Sequence, residues 1–259
     1  MALGIAQSLL EGERKAVLLG NAAAHHAHAS KLLALANWIA EQTGASVGYL
    51  TEAANTVGAQ LVGALPGKSG LNAGQMLSGA LKALILLNNE PEFDSAAGAA
   101  AIQSLKACEM VVTMSPFKAN LEISDVLLPI APFTETPGTF VNAEGRVQSF
   151  HAVVRPLAET RPAWKVLRAL ADILGLSGMA FDSAQDVLAH LHADQGGVVP
   201  EFVPVQRLSN ACGAVVPEAV TWSEPCVASI YQLDGIVRRA PALQLTADAR
   251  LAQAQEVAA

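Results

Sequence analysis

Short apolar runs of strand length recur along the first half of the chain, with helix-patterned segments between them. That alternation constrains the fold more than any other feature. Ala16–Leu19, Val47–Leu50, Leu81–Leu87, Met110–Met114 and Val126–Ile130 read as strands. Between the first two, Lys31–Gln42 places Leu32, Leu35, Ala36 and Ile39 at helical spacing, with Ser30 as N-cap and Gly44 as stop. Gly58–Ala64 is apolar and glycine-rich and ends at Pro66-Gly67. Asn72 is placed to cap a helix over Ala73–Gly79, and Ala96–Lys106 is helical in character. Strands joined by helices pair in parallel, because the crossover returns the chain to the same end of the sheet. The predicted class is therefore α/β, a Rossmann-like parallel sheet with helices on both faces, followed by a less regular helical and extended tail. Pro129 has no N–H to give a ladder, so it must lie near a strand end.

The pattern changes after Pro132. Thr139–Val141 and Arg146–Phe150 are short β-like runs around Asn142-Ala143-Glu144-Gly145, where Gly145 supplies the positive φ of a tight turn. Pro162–Leu174 is amphipathic, with Trp164, Leu167, Leu170, Ala171 and Leu174 on one face and Gly175 as stop. Ser183–His192 is a further helix capped by Ser183. Gly196–Pro225 has the look of extended chain lying on another surface, Val227–Tyr231 of a last strand, and Leu245–Ala259 of a frayed or helical tail. The division expected is an α/β domain over 1–177 and a helical and extended segment over 178–259.

Composition excludes several classes. The apolar stretches are far shorter than the roughly 18–20 residues of a spanning helix. No basic n-region precedes an apolar run at Met1, so no signal peptide is expected. The net charge of −7, with Arg238-Arg239 as the nearest thing to a basic cluster, argues against nucleic-acid binding. Cys108, Cys212 and Cys226 lack the CxxC-type spacing of zinc or iron–sulfur sites and read as incidental thiols. Hydrophobic residues reach 52% and charged residues only 15%, which points to a large core or to burial within an assembly.

Several residues invite a chemical reading. His25, His26 and His28 are metal-ligand types, but adjacent residues point apart and no carboxylate stands nearby in sequence, so a solvated or backbone-capping turn is the better reading. Gly20-Asn21 and Asn88-Asn89-Glu90-Pro91 follow predicted strands, where open α/β sheets place phosphate groups. Neither carries GxGxxG or GxxxxGK[ST], so a ligand loop and a tight turn stand equally. Ser115 and Ser124 lack a GxSxG context. Nothing in the spacing fixes Asp125, Glu135 and Glu144 as a catalytic carboxylate pair, and Glu144 and Arg146 are best read as partners of each other or of neighbouring loops.

Ser124-Asp125-Val126-Leu127-Leu128-Pro129, then Glu135, then Gly138-Thr139-Phe140-Val141-Asn142-Ala143-Glu144-Gly145-Arg146-Val147-Gln148 make a specific pattern over about two dozen residues. It resembles the ADVVLP … E … GTxxNxEGRxVQ signature of the molybdopterin oxidoreductase superfamily. Asn88-Asn89-Glu90-Pro91 resembles that family's GxNP turn, from which Asn88 and Glu90 depart. Within the superfamily, Val57-Gly58-Ala59, Gly70-Leu71-Asn72-Ala73, Pro162–Leu167 and Arg238–Gln244 look like the branch that supplies the large peripheral-arm subunit of NADH–quinone oxidoreductase, respiratory complex I. The likeness runs from about Lys15 to Asp248 and is weakest between Gly178 and Pro225.

The resemblance implies a longer parent that carries 2Fe–2S and 4Fe–4S clusters upstream and passes electrons from NADH to quinone. On that reading this stretch is a cofactor-less structural domain with no catalytic residues. Its partners are other peripheral-arm subunits, and its place is peripheral, on the cytoplasmic side of the inner membrane. In catalytic members the strand-end loops hold a molybdopterin guanine dinucleotide. Gly20, Asn21, Asn88, Asn89, Glu135, Thr139, Asn142, Glu144 and Arg146 match positions near that ancestral pocket. The competing expectation is a pterin-binding domain of a formate dehydrogenase type. A nucleotide-binding α/β domain outside redox chemistry ranks last.

Overall fold

The structure, a computed structural model, describes residues 2–79, 81–204, 207–209 and 229–257. An N-terminal helix, α1 (Ala2–Glu11), precedes the first strand. Strand β1 (Ala16–Leu19) leads through α2 (Asn21–Ala24) and α3 (Ala29–Thr43) to β2 (Ser46–Tyr49). The two strands pair in parallel, Ala16 opposite Ser46 and Leu19 opposite Tyr49. Helix α3 lies against both strands, and its small residues Ala34, Ala36 and Ala40 are buried. The helix starts one residue before Ser30, at a His28 cap that makes no side-chain bond, so Ser30 is not the cap. Gly44 does stop it, in the left-handed conformation at φ +70°.

Helices α4 (Thr56–Leu61) and α5 (Ala73–Ser78) follow. Asn72 caps α5 in a reciprocal box: its side chain accepts from the Gln75 amide, and Gln75 reaches back to the Asn72 amide, both at 2.9 Å. A second parallel sheet has the order β3 (Ala83–Leu87), β4 (Met110–Ser115), β5 (Val126–Pro129), with α6 (Pro91–Asp94) and α7 (Ala99–Leu105) in the first crossover. Pro129 is the last residue of β5, where no ladder donor is needed. The core gathers Leu86, Val111, Leu105 and Ile123, with Leu77 of α5, Ile102 of α7 and Cys108 packed around them. On the opposite face Ile85, Leu87, Met110 and Val126 are exposed. The fold class is thus α/β, built of parallel strands and helices as expected. The apolarity of both strand faces does not distinguish the covered face from the open one.

Strands β6 (Gly138–Val141) and β7 (Val147–Phe150) form the expected antiparallel hairpin, with Gly145 at φ +84° in its turn. Its motif glycines have separate reasons. A Cβ on Gly138 would sit 2.8 Å from the Phe150 ring, which packs edge-on against Phe140 at 4.9 Å between centroids. Gly145 needs the left-handed region and also lies under Leu208. The Glu201–Val203 backbone bonds to the hairpin at Val147 and Gly145, as expected for extended chain lying on another surface.

Helix α8 (Ala163–Ile173) ends at Leu174 with Gly175 at φ +70°, and α9 (Ala184–Leu191) is capped by Ser183, both as read from sequence. The expected strand over Val227–Tyr231 is corrected: Ile230 and Tyr231 open a helical turn, α10 (Ile230–Leu233), while Val227 and Ala228 lie outside the described residues. The side chain of Ser229 accepts from the Tyr231 amide, and this cap favours the turn over the β-prone Val-Ala-Ser-Ile-Tyr run. A 3₁₀ turn (Val237–Arg239), α11 (Pro241–Gln244) and α12 (Ala247–Val257) complete the chain, so the tail is helical through Val257. Cys212, Cys226 and most of the expected extended stretch up to Pro225 lie outside the described residues. Among the described residues no helix is long and apolar enough to cross a membrane.

Candidate functional site at the strand ends

The residues expected to face a ligand fall in separate places, most of them in turns that follow strands. Gly20 is the residue before α2 and offers its carbonyl to Ala23 and Ala24; Asn21 opens that single turn. Asn88 ends β3 in the left-handed region at φ +49°, its amide bonded to the Met114 carbonyl, and Asn89 is tied through its carbonyl to the Asn120 amide group at 2.8 Å. Glu135 accepts from the Leu157 amide at 2.9 Å. Thr139 pairs across the hairpin with Ser149 at 3.0 Å. The Asn142 side chain accepts from the amides of Glu144 and Arg146, which closes the turn. Arg146 pairs not with Glu144 but with Glu201, at 3.5 Å, and lies over the Phe202 ring.

Asn88 lines a cleft of about 370 Å³ at the ends of β3, β4 and β5, together with Phe117, Ile130, Phe133 and Thr136. Thr139 lines a second, apolar one of about 350 Å³ between the hairpin, α4, α8 and α9. The other seven residues expected at the pocket line neither of these two clefts.

The strongest electrostatic feature is one that sequence reasoning missed. Glu90, which departs from the family turn, is buried (12% of its side chain exposed) and takes a guanidinium on each carboxylate oxygen: Arg238 at 2.9 Å and Arg239 at 2.8 Å. Arg238 also faces Asp94 at 3.7 Å, stacks on Phe93, and donates to the carbonyls of Gln232 and Leu233. Arg239 stacks on Phe117 and donates to the Gly235 carbonyl. Burial pushes the Glu90 carboxyl up, but the hydrogen bonds and charges of the two arginines outweigh it, and its pKa is lowered. Burial dominates at Asp94, whose pKa is raised despite the bond from the Glu90 amide. The doublet Arg238-Arg239 was visible in sequence; its partner 149 residues away was not.

His25 bonds to Glu52 at 2.6 Å, a carboxylate that sequence distance had hidden, and His26 accepts from the His28 amide. Among the described residues no group of three or more His, Cys, Asp or Glu side chains could hold a metal ion. Asp125 accepts from the Val111 amide and Ser124 bonds to Thr113, both within the sheet scaffold.

These features define an α/β protein with a cleft at the carboxyl ends of parallel strands, closed on one side by its own C-terminal segment. Residues 1–173 match the molybdopterin oxidoreductase family, and the chain belongs to that family. It is 44% identical over 66 residues to a protein named as a formate dehydrogenase in Staphylococcus aureus, which is 26% of this chain and 7% of that relative. It is 37% identical over 67 residues to a Bacillus subtilis protein named as an oxidoreductase, 26% of this chain and 7% of the relative. It is 38% identical over 80 residues to the mitochondrial NADH–ubiquinone oxidoreductase 78 kDa subunit of Candida albicans, 31% of this chain and 10% of that protein. The chain thus aligns with a tenth or less of the length of each.

The family implies a molybdopterin cofactor, whose dinucleotide form carries a pyrophosphate that needs unspent donors and positive charge. The rim of β3 and β4 does not fit it as it stands. Both guanidinium groups are committed to Glu90, and Asp94 and Asp234 add carboxylates to the same cleft. No chemical step through that cofactor follows from these residues.

Proposed function

We propose that this chain is a non-catalytic structural part of the large peripheral-arm subunit of a NADH–quinone oxidoreductase. Electrons pass through iron–sulfur clusters elsewhere in the parent, and this part packs against other peripheral-arm subunits on the cytoplasmic side of the inner membrane. The observation that carries the reading is the Glu90–Arg238–Arg239 network, which spends the charge that a pterin pyrophosphate would require. The similarity to the Candida albicans 78 kDa subunit supports the assembly. In this reading residues 1–177 form the α/β unit and 178–259 an appended segment. Gly20, Asn21, Asn88, Asn89, Glu135, Thr139, Asn142, Glu144 and Arg146 are remnants of an ancestral pocket that now bond within the protein.

The test is to isolate the native assembly containing this chain, measure NADH–quinone reductase activity, and assay molybdenum, tungsten and oxidised-pterin fluorescence. NADH–quinone reductase activity with no pterin or metal stoichiometric with the chain is the expected result. Stoichiometric pterin refutes it and establishes the second reading, a formate-dehydrogenase-type pterin domain. That reading is favoured by the 44% identity to the Staphylococcus aureus protein.

A further inference from the structure

The segment from Ser229 to Gln244 is attached to the rest of the molecule in an unusual way. Its three short helical turns, α10, the 3₁₀ turn and α11, contain no buried residue. It is well bonded to itself: the Gln244 side chain donates to the Tyr231 and Val237 carbonyls, Asp234 accepts from the Ile236 and Val237 amides, and Arg238 and Arg239 donate to carbonyls of the same segment. Its strong link to the sheet is electrostatic. Both arginines converge on the one carboxylate of Glu90, directly after β3, and stack on Phe93 and Phe117 beside it. A unit with internal bonds, no fully buried residue in its helical turns and ion pairs converging on Glu90 and Asp94 is the kind that opens locally below the global unfolding free energy.

We propose that Ser229–Gln244 is a latch over the carboxyl-end cleft of β3, β4 and β5, held shut by the Glu90 carboxylate and opening as one body while the sheet stays folded. Glu90 is the keeper. Without its charge two guanidinium groups lose their shared counter-charge in a buried site, and breaking a buried pair on one side leaves the other side uncompensated. Opening uncovers Phe117, on which Arg239 stacks, and the Ile130 side of the cleft. The proposal holds whether or not the parent is a NADH–quinone oxidoreductase, since the latch and its anchor both lie within this chain.

Hydrogen exchange followed by fragment mass spectrometry tests it on the full chain. In the wild type under increasing sub-denaturing urea, the bonded amides of Leu233, Asp234, Arg238, Ala240 and Gln244 should merge into one opening event at lower free energy than the amides of β4. Glu90→Gln should speed exchange of those five amides at least tenfold and leave β4 within twofold. Latch amides that open one by one, or only together with β4, overturn the proposal. So does a Glu90→Gln protein whose latch exchanges at the wild-type rate. Should Glu90→Gln fail to fold, the wild-type urea series alone decides, and Arg239→Gln, which removes the more exposed of the two arms, should give a smaller acceleration confined to the same amides.

Discussion

The hairpin turn offers a sharp separation of backbone strain from steric contact. Gly145 and Gly175 both occupy the left-handed region, at φ +84° and φ +70°. A methyl group at Gly175 meets nothing within 4 Å, whereas at Gly145 it would come 2.5 Å from Leu208 Cδ1. An L-residue in this region costs about 1–2 kcal/mol, which is the whole expectation for Gly175→Ala. At Gly145 the leucine terminus must retreat by about 1 Å or more to reach the usual carbon–carbon contact of about 3.5–4.0 Å. Displacing a packed side chain adds about 1–3 kcal/mol, and the lower half of that range applies because Leu208 ends in a flexible group. Gly145→Ala should therefore cost about 2–4 kcal/mol, measured as a drop in urea midpoint at unchanged slope by far-ultraviolet circular dichroism. Adding Leu208→Ala should return the glycine penalty to that of Gly175→Ala. Equal losses at the two glycines, or a penalty indifferent to Leu208, would refute the steric half of the reasoning.

Two further outcomes are expected. Because the Glu90 pKa is lowered in the fold, its contribution is fully present above the unfolded carboxylate pKa of about 4.3 and is lost as pH falls through the folded value. The gap in urea midpoint between wild type and Glu90→Gln should stay constant from about pH 7 to about pH 5 and close below about pH 4; a gap undiminished at about pH 3 contradicts the ion-pair account. Asp94 has the opposite sign, since burial raises its pKa: its contribution is present at low pH and fades as pH rises, and Glu90→Gln weakens it by removing the Glu90 charge that helps to raise that pKa. Asn55→Ala removes the acceptor that holds the Val141 amide at 2.9 Å. Leaving that donor unpaired should cost about 1–3 kcal/mol and speed exchange at Val141, with the Thr139–Ser149 side of the hairpin less affected. Unchanged protection at Val141 would show the contact to be idle.

Much of this molecule is local, and local features are legible. The parallel strands follow from apolar runs alternating with helical spacing. Asn72, Ser183, Gly44 and Gly175 act where a cap or stop is required, because a side chain bonding three residues away, or a backbone needing positive φ, depends only on its neighbours. The Gly138–Arg146 pattern marked the hairpin and the family for the same reason. Ser30 and the Val227–Tyr231 run show the limit: a residue type suited to a cap or strand yields when a neighbour starts the element one position earlier or caps a turn.

What tertiary structure alone decided is which charges meet and which surfaces stay open. Glu90 looked like a blemish in a familiar turn, and Arg238-Arg239 like a minor basic doublet. Folding sets them 2.8–2.9 Å apart across 149 residues of sequence and makes them the strongest electrostatic cluster at the strand ends. His25 likewise found Glu52, and the two faces of β3, equally apolar in sequence, came out one buried and one exposed. The reason is physical. Periodicity and capping are written in spacings of a few residues. Long-range pairing instead depends on where the crossovers bring the chain back, a geometry carried by no local spacing.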